Sequence, residues 1–199
     1  MTQPAGVLTE ERILEAAEDV LRRYGPAKAT VVDVAKVLGV SHGSVYRHFP
    51  SKVALRDAVA RRWLARIAEP LDPAADADGP AAQRLLRWLQ RLAAIKHGMA
   101  LEDPELFATF SRLTTEAREV AAEHVDHLAG QLTVIVADGV AAGEFAAADT
   151  VKAGRAVLHA TARFHHPLHA AEWEDPAIGD DLVEVWQLLV QGLGIRPSR

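Results

Sequence analysis

Residues 29–55 read ATVVDVAKVLGVSHGSVYRHFPSKVAL, and the local signals in this stretch decide the predicted fold. Thr30 and Asp33 mark a helix start, because a hydroxyl and a carboxylate three residues apart can each satisfy a free backbone amide of the first turn. Gly39 ends that helix, and Ser41 is a good cap for a second one. Two short helices joined by a glycine-containing turn are typical of a helix-turn-helix, in which the second helix enters the major groove of DNA.

The apolar spacing predicts which side of this motif is buried. The residues expected to pack against neighbouring helices are Val32, Ala35, Val40, Val45 and Phe49. The residues expected to face outward are Ser41, His42, Gly43, Ser44, Tyr46, Arg47 and His48. Arg47 can form a forked pair with the two acceptors of guanine, while the Tyr46 hydroxyl and the Lys52 charge suit phosphate oxygens. We therefore expect DNA contacts from the outward set, together with Thr30 and Lys52.

Helical signals also dominate the chain on either side of this motif. A first helix begins after Thr9 and ends at Gly25-Pro26, and a fourth runs from Lys52 towards Ile67. Further helices are predicted at 81–99, 104–112, 115–142, 150–165 and 176–193. The run LTVIV at 132–136 has the composition of a strand, but it lies in a long segment without turn signals and is predicted to be helical.

The predicted fold is all-α, with about nine helices in two domains. The stretch PLDPAADADGP at 70–80 is rich in proline, alanine and aspartate and predicts an irregular connection between them. We therefore expect a helix-turn-helix domain with its linking helix at 1–69 and a larger helical domain at 70–199.

Composition excludes several classes of protein. The chain has 199 residues, 49% hydrophobic and 25% charged, with a mean hydropathy of +0.01, which favours an ordinary folded domain over disorder. It has no cysteine, which excludes a disulfide framework, thiolate zinc sites and thiol nucleophiles and fits a reducing compartment. No secretion signal and no apolar run of membrane-spanning length is present, so we expect a cytoplasmic protein without a membrane partner.

Charge is distributed unevenly along the chain. The formal net charge is −5, but residues 1–69 carry 11 basic and 8 acidic side chains, whereas residues 70–199 carry 11 and 19. The first part is therefore positive by 3 and the second negative by 8. This asymmetry is compatible with a polyanionic partner for the first part, but an excess of 3 is small, chance or solubility also explains it, and the motif must decide.

The stretch from Thr9 to about Leu64 closely resembles the DNA-binding domain of the TetR/AcrR family of bacterial transcriptional regulators. The matching elements are Thr30, Val34-Ala35, Leu38-Gly39-Val40-Ser41, Ser44-Val45-Tyr46, His48-Phe49, Ser51-Lys52 and Ala54-Leu55. The resemblance implies an all-helical homodimer in which three helices bind a DNA operator and a fourth connects them to a domain that binds a small-molecule effector. This sequence differs from the family pattern at Val31 and Val32, where many relatives have a polar or basic residue.

Two chemical alternatives come from short motifs. Gly39–Gly43 matches the G-x-S-x-G elbow of serine hydrolases, but that elbow needs a strand before the serine, and a helix precedes it here. Seven of the nine histidines lie in the acidic part, at positions 97, 124, 127, 159, 165, 166 and 169. Imidazoles can bind zinc, so a metal-responsive regulator or a metal-binding helical protein is the alternative function, although no H-E-x-x-H motif is present. We expect no catalytic residue, cofactor or resident metal.

The larger domain offers candidate ligand and dimer residues. Large apolar residues at helical spacing are most simply core, but they are also the lining expected of a pocket for a small hydrophobic effector. The predicted ligand contacts are Trp88, Met99, Phe107, Phe110, His124, His127 and Phe164. The last two predicted helices have broad apolar faces, which the family resemblance assigns to packing against a second copy of the chain.

Overall fold

The computed structural model describes residues 7–75 and 78–194, and no strand occurs in either range. The α-helices within these residues are α1 (Glu10–Lys28), α2 (Val31–Leu38), α3 (His42–Tyr46), α4 (Lys52–Ala68), α5 (Asp72–Ala75), α6 (Ala81–Glu102), α7 (Pro104–Glu116), α8 (Arg118–Ala141), α9 (Thr150–Ala160) and α10 (Ile178–Gly192). Short 3-10 helices occupy Glu69–Leu71, Ala162–Phe164 and Pro167–Glu172. The predicted all-α class is confirmed. In the described part of the chain, no helix combines the length and apolar character needed to cross a bilayer.

The connection predicted at 70–80 is the largest difference from the sequence prediction. The structure forms a 3-10 turn at Glu69–Leu71 and then the single turn of α5, so the prediction of an irregular segment is wrong for these residues. Proline at the first position of a helical turn is compatible with helix, because its missing N–H would be unpaired there in any case. The run at 132–136 lies inside α8, as predicted.

Two predicted helices end earlier than expected. The helix after Ser41 stops at Tyr46 rather than Phe49, because the chain tightens into a turn in which the His48 N–H donates to the Val45 carbonyl at 3.0 Å. The helix predicted at 150–165 stops at Ala160. There the Thr161 hydroxyl donates to the Val157 carbonyl at 2.9 Å, and the chain continues as a 3-10 turn.

The described chain divides into two compact units. The first unit contains residues 7–63 with 105–121, and the second contains 64–104 with 122–194. These units are defined by compactness. The prediction of two functional domains, at 1–69 and 70–199, is a separate statement and stays a prediction.

In the first unit, ion pairs join α1 to α4, and a stacked pair of aromatic rings joins α4 to α7. Arg62 of α4 forms ion pairs with the carboxylates of Glu11 at 2.9 Å and Glu18 at 3.3 Å on α1. One residue later, Trp63 stacks on Phe110 of α7 with ring centroids 4.3 Å apart. Helix α2 packs against α1, and α3 packs against α2.

The second unit has a core built on α6 and α8. Trp88 and Leu92 of α6 and Leu132 and Ile135 of α8 are fully buried. Helix α9 approaches α8 closely at Gly154, where a Cβ atom would lie 2.7 Å from the Thr133 backbone nitrogen. The large apolar residues Trp88, Phe107, Phe110 and Phe164, for which core packing was the simplest interpretation, are buried, whereas Met99 is half-buried.

Candidate functional site

The turn between α2 and α3 is set by Gly39. This residue has φ +67° and ψ +29°, in the left-handed region that a residue without a Cβ adopts at low cost. The N–H groups of Gly39 and Val40 then donate to the carbonyls of Lys36 at 3.2 Å and Ala35 at 3.0 Å, which satisfies the free carbonyls at the end of α2. The turn is therefore closed by its own backbone and directs the chain into α3.

The polar surface of α3 is organised by its capping serine. The Ser41 hydroxyl oxygen accepts from the Ser44 N–H at 3.2 Å, and the two hydroxyls lie 2.9 Å apart. The Arg47 guanidinium donates to the Ser44 hydroxyl oxygen at 3.2 Å. The His42 and Tyr46 rings meet edge to face, 6.3 Å between centroids. The arginine and the tyrosine are thus partly positioned before any partner binds.

Most of the predicted DNA contacts are exposed side chains. The exposed residues are Thr30, Ser41, His42, Gly43, Tyr46, Arg47 and Lys52, and the half-buried ones are Ser44 and His48. Thr30 caps α2, with its oxygen accepting from the Asp33 N–H at 3.2 Å. The same capping role holds for Ser51, whose oxygen accepts from the Ala54 N–H at 3.0 Å and so fixes the start of α4 beside Lys52.

The buried face of α2 differs from the prediction at one position. Val32 was predicted to pack inward, but it is 48% exposed, so that assignment is wrong. With Thr30 as the cap, positions 31, 34 and 35 share the inner face of the helix, and Val31, Val34 and Ala35 are the residues buried there. Val45 and Phe49 are buried as predicted, and Val40 is half-buried.

The predicted ligand contacts fall in both units. Phe107 and Phe110 belong to the first unit, where Phe110 stacks on Trp63. Trp88, Met99, His124, His127 and Phe164 belong to the second unit.

Within the second unit, Gln131 connects two of the predicted contacts. Its side-chain oxygen accepts from the Trp88 indole N–H at 3.1 Å, and its amide nitrogen lies 3.2 Å from Nε2 of His127. The same amide nitrogen contacts the Asp72 carboxylate of α5. Trp88 and His127 are therefore joined through one buried amide.

Three basic side chains of the second unit, on α6, α8 and the segment after α9, influence one another electrostatically and are here called the Lys96 cluster. Its members are Lys96, His124 and His165. Burial lowers the pKa of Lys96 to about 8. Burial, followed by the charge of Lys96, lowers the pKa of His124 and that of His165 to about 3. At neutral pH the cluster therefore holds one ammonium group and two neutral imidazoles.

His97, the neighbour of Lys96 on α6, is oriented by the backbone and by an aromatic ring. Its Nε2 lies 2.8 Å from the Phe164 carbonyl, and its ring stacks on Trp173 at 4.5 Å between centroids. Burial lowers its pKa, while the bond to the carbonyl raises it. Because a carbonyl can only accept, the neutral ring carries its proton on Nε2.

The histidines do not form a recognisable metal site. Among residues 7–75 and 78–194, no three histidine or acidic side chains are grouped so as to hold a metal ion. The charge of Lys96 also lowers the pKa of His124 and of His165, after burial, and the same charge would disfavour a cation bound to these imidazoles. The geometry gives the metal-binding alternative no support.

Sequence reasoning missed Lys96 and Gln131 and considered His165 only as a candidate metal ligand. A signal for the lysine exists, since Leu89, Leu92, Ala93 and Lys96 share one helical face and a charged residue is unusual at its end. The other two become visible only through tertiary contacts, because glutamine and histidine occur on solvated helix faces as well.

Two family models match this architecture. Residues 13–59 match the model of bacterial regulatory proteins of the tetR family, and residues 81–186, more than half of the chain, match the tetracyclin repressor-like C-terminal domain. The chain belongs to the TetR family. The recognised helix-turn-helix and the second unit are thus both parts of the TetR-family architecture.

Individual TetR-family relatives agree with this assignment. An HTH-type transcriptional regulator of Mycobacterium tuberculosis is 32% identical over 131 residues, which is 65% of this chain and 59% of that protein. The HTH-type transcriptional repressor KstR of Mycolicibacterium smegmatis is 31% identical over 134 residues, 67% of this chain and 64% of its own length. The matched part thus spans about three fifths of these relatives.

A solved structure shares the fold. The transcriptional regulator FadR from Bacillus subtilis, in complex with stearoyl-CoA, superimposes with a TM-score of 0.67 over 92% of this chain and 99% of its own. The sequences are 19% identical, so this likeness concerns the fold of the TetR-family chain.

Proposed function

We propose that this TetR-family protein is a transcriptional repressor that binds a palindromic operator as a homodimer and is released by a small-molecule effector. The observation that carries the proposal is the exposed polar face of α3, held by the left-handed turn at Gly39 and the cap at Ser41. Two comparisons support it. KstR is a repressor by name, and FadR was solved with stearoyl-CoA bound.

The proposed DNA contacts have separate roles. Arg47 pairs with a guanine in the major groove, while Tyr46 and Lys52 contact phosphates on the flanking backbone. Ser41, His42, Gly43, Ser44 and His48 line the groove-facing surface of α3, and Thr30 contacts the backbone from the start of α2. An isologous dimer then presents two α3 helices to half-sites about one turn of DNA apart.

The dimer is proposed to form through α9 and α10. Val157 and Leu158 of α9 are buried within the protomer, so they belong to its own core. Val151 of α9 and Leu188 of α10 are 60% and 69% exposed, and these side chains remain available for a second copy. Exposed apolar side chains on two helices of one unit are a plausible seam for a helical interface.

Effector binding is proposed for the second unit. The predicted contacts there are Trp88, Met99, His124, His127 and Phe164. The effector needs to favour the form that cannot bind DNA by only about 1–3 kcal/mol to lower operator affinity roughly 5–150-fold. Phe107 and Phe110 stay predicted contacts from the first unit.

The test is selection of operator fragments from genomic DNA by the purified full chain, followed by gel shift at low salt. We expect a palindromic sequence to be bound in preference to random competitor, and sedimentation to show a dimer at micromolar protein. Absence of any sequence preference would overturn the DNA-binding proposal, and a monomer at that concentration would overturn the dimer.

A further inference from the structure

We propose that Ser44 is a positioning residue for Arg47, and that its hydroxyl orients the guanidinium for the DNA base while leaving the charge of the arginine intact. This inference rests on the proposed function, because it assigns a separate role to one residue of the α3 surface that binds the operator. The hydrogen bonds of Ser41, Ser44 and Arg47 carry it.

The backbone places Arg47 next to Ser44. Ser44 lies within α3, and Arg47 follows the last residue of that helix with φ −69° and ψ −26°, so its own backbone is still helical. Side chains three positions apart on a helical backbone are neighbours. The Arg47 guanidinium accordingly donates from Nη2 to the Ser44 hydroxyl oxygen at 3.2 Å. Because a guanidinium can only donate, the direction of this bond is fixed.

The Ser44 hydroxyl is in turn held by the cap of the helix. The Ser41 oxygen accepts from the Ser44 N–H at 3.2 Å, and the two hydroxyl oxygens are 2.9 Å apart. A bond from a charged donor polarises the Ser44 hydroxyl and makes it the better donor of the two serines. The hydrogen bonds therefore form a chain in which Arg47 donates to Ser44 and Ser44 donates to Ser41.

This chain leaves Ser44 without a proton for DNA. Its one O–H is directed to Ser41, whereas phosphate oxygens and the O6 and N7 atoms of guanine can only accept. Ser44 is also half-buried, unlike the exposed Ser41 and Arg47. Ser44 is therefore suited to orienting Arg47 and not to contacting these groups itself.

A neutral partner preserves the charge that Arg47 brings to DNA. Among residues 7–75 and 78–194, no carboxylate pairs with its guanidinium. A carboxylate at position 44 would hold the arginine more firmly, but it would also offset the positive charge and repel phosphates. The hydroxyl avoids both effects, and it engages only one of the guanidinium nitrogens. The remaining N–H groups can form the forked pair with guanine.

The energetic consequence of this arrangement is specificity. A long side chain that becomes ordered only on binding lowers the affinity by the free energy needed to immobilise it. Because Ser44 holds Arg47 before the operator binds, part of this ordering is already complete. The gain applies only where Arg47 meets its base, since contacts to phosphates do not depend on the DNA sequence.

The first experiment follows Arg47 in the full chain without DNA. In a sample with nitrogen-15 arginine, the Nε–Hε resonance of Arg47 is identified with Arg47→Lys, and its heteronuclear NOE reports the mobility of the side chain. We expect a high NOE in the wild type, a clearly lower one in Ser44→Ala, and recovery in Ser44→Thr, which keeps a hydroxyl. The reference is Arg62, which pairs with Glu11 and Glu18 and should be unchanged in both variants. Equal mobility of Arg47 in the wild type and in Ser44→Ala overturns the inference.

The second experiment is a double-mutant cycle on the selected operator, measured by fluorescence anisotropy. Ser44→Ala keeps the backbone N–H that the Ser41 cap uses, so it removes the hydroxyl and leaves the cap in place. We expect this change to weaken operator binding about 2–10-fold, as for the ordering of one long side chain, and to have no effect in the Arg47→Ala background. Binding to random DNA should be equal in the wild type and in Ser44→Ala.

Two results of the cycle would overturn the inference. A loss that persists in the Arg47→Ala background would show that Ser44 contacts the operator directly. A loss of the same size on random DNA would show a general defect of α3 and no positioning of Arg47.

The two experiments together separate this inference from the proposed function. A chain that selects an operator but shows no coupling between Ser44 and Arg47 overturns the inference alone. A chain that selects no operator, while Ser44→Ala still releases the Arg47 side chain, overturns the proposed function alone.

Discussion

At the scale of single residues, Arg47 and Lys52 should affect DNA binding in different ways. Arg47 lies on the exposed face of α3 with its guanidinium held by Ser44 at 3.2 Å, whereas Lys52 begins α4. Arg47→Ala should cost about 1–3 kcal/mol of operator binding and relax the preference at one base pair. Lys52→Ala should weaken binding to all sequences and reduce the salt slope by about 1. Fluorescence anisotropy with operators changed base by base, at several salt concentrations, measures both effects. Unchanged base preference in Arg47→Ala would show that another residue reads the base.

Lys96 gives a prediction for stability at the same scale. Burial lowers its pKa from 10.5 to about 8. Below pH 8 the ammonium is charged in both states, and this charge is less favourable in the folded interior than in the hydrated unfolded chain. Lys96→Met should therefore raise the free energy of unfolding at pH 7 by up to about 3 kcal/mol. The gain should shrink as the pH rises from 8 towards 10.5, because the wild-type lysine then loses its proton on folding. Urea unfolding at pH 7 and pH 9.5 tests this, and a destabilised variant at pH 7 would contradict it.

At the scale of elements, the turn between α2 and α3 depends on the backbone conformation of one residue. No atom lies within 4 Å of the position that a Cβ on Gly39 would take, so a side chain there meets strain and not a clash. Gly39→Ala should lower the free energy of unfolding by about 1–2 kcal/mol, because an L-residue pays this to adopt φ +67°. Gly39→Asn is the matched control and should cost less, since asparagine tolerates this region. Equal losses in the two variants, measured by urea unfolding, would show that the backbone conformation is not the cause.

The elements also show how far sequence alone predicts this structure. The caps at Thr30 and Ser41 and the stop at Gly39 were predictable, because each acts on backbone groups within four residues of itself. The buried face of α2 was predicted wrongly at Val32, since adjacent valines give no local signal for the side that packs inward. The predicted face of α3 is exposed as expected, but its contacts with DNA stay a prediction.

The Lys96 cluster could not be predicted, because its residues interact only in the folded chain. Lys96 and His124 are 28 positions apart in the sequence, and His124 and His165 are 41 positions apart. No short motif joins them, and each residue type alone is commonest on a solvated surface. Their lowered pKa values come mainly from burial, which is a property of the packed second unit.

At the scale of the whole molecule, the buried histidines should make the protein sensitive to acid. The pKa values of His124 and His165 are about 3 in the folded state, well below the ordinary value of 6.5. Above pH 6.5 both rings are neutral in either state, and the stability associated with them is fully present. As the pH falls from 6.5 towards 3, the two imidazoles bind protons in the unfolded chain but stay neutral in the folded chain. Their contribution to the free energy of unfolding is therefore lost. Each ring should contribute a slope of about 1.4 kcal/mol per pH unit once the unfolded state is fully protonated.

A substitution isolates one of these rings within the whole-molecule profile. His124→Leu should reduce the slope of unfolding free energy against pH, measured by urea unfolding between pH 7 and pH 5, by about 1.4 kcal/mol per pH unit at the acidic end. The control is His159→Gln, at an exposed position on α9, which should keep the wild-type slope. Loss of slope in the control and not in His124→Leu would place the acid sensitivity outside the buried cluster.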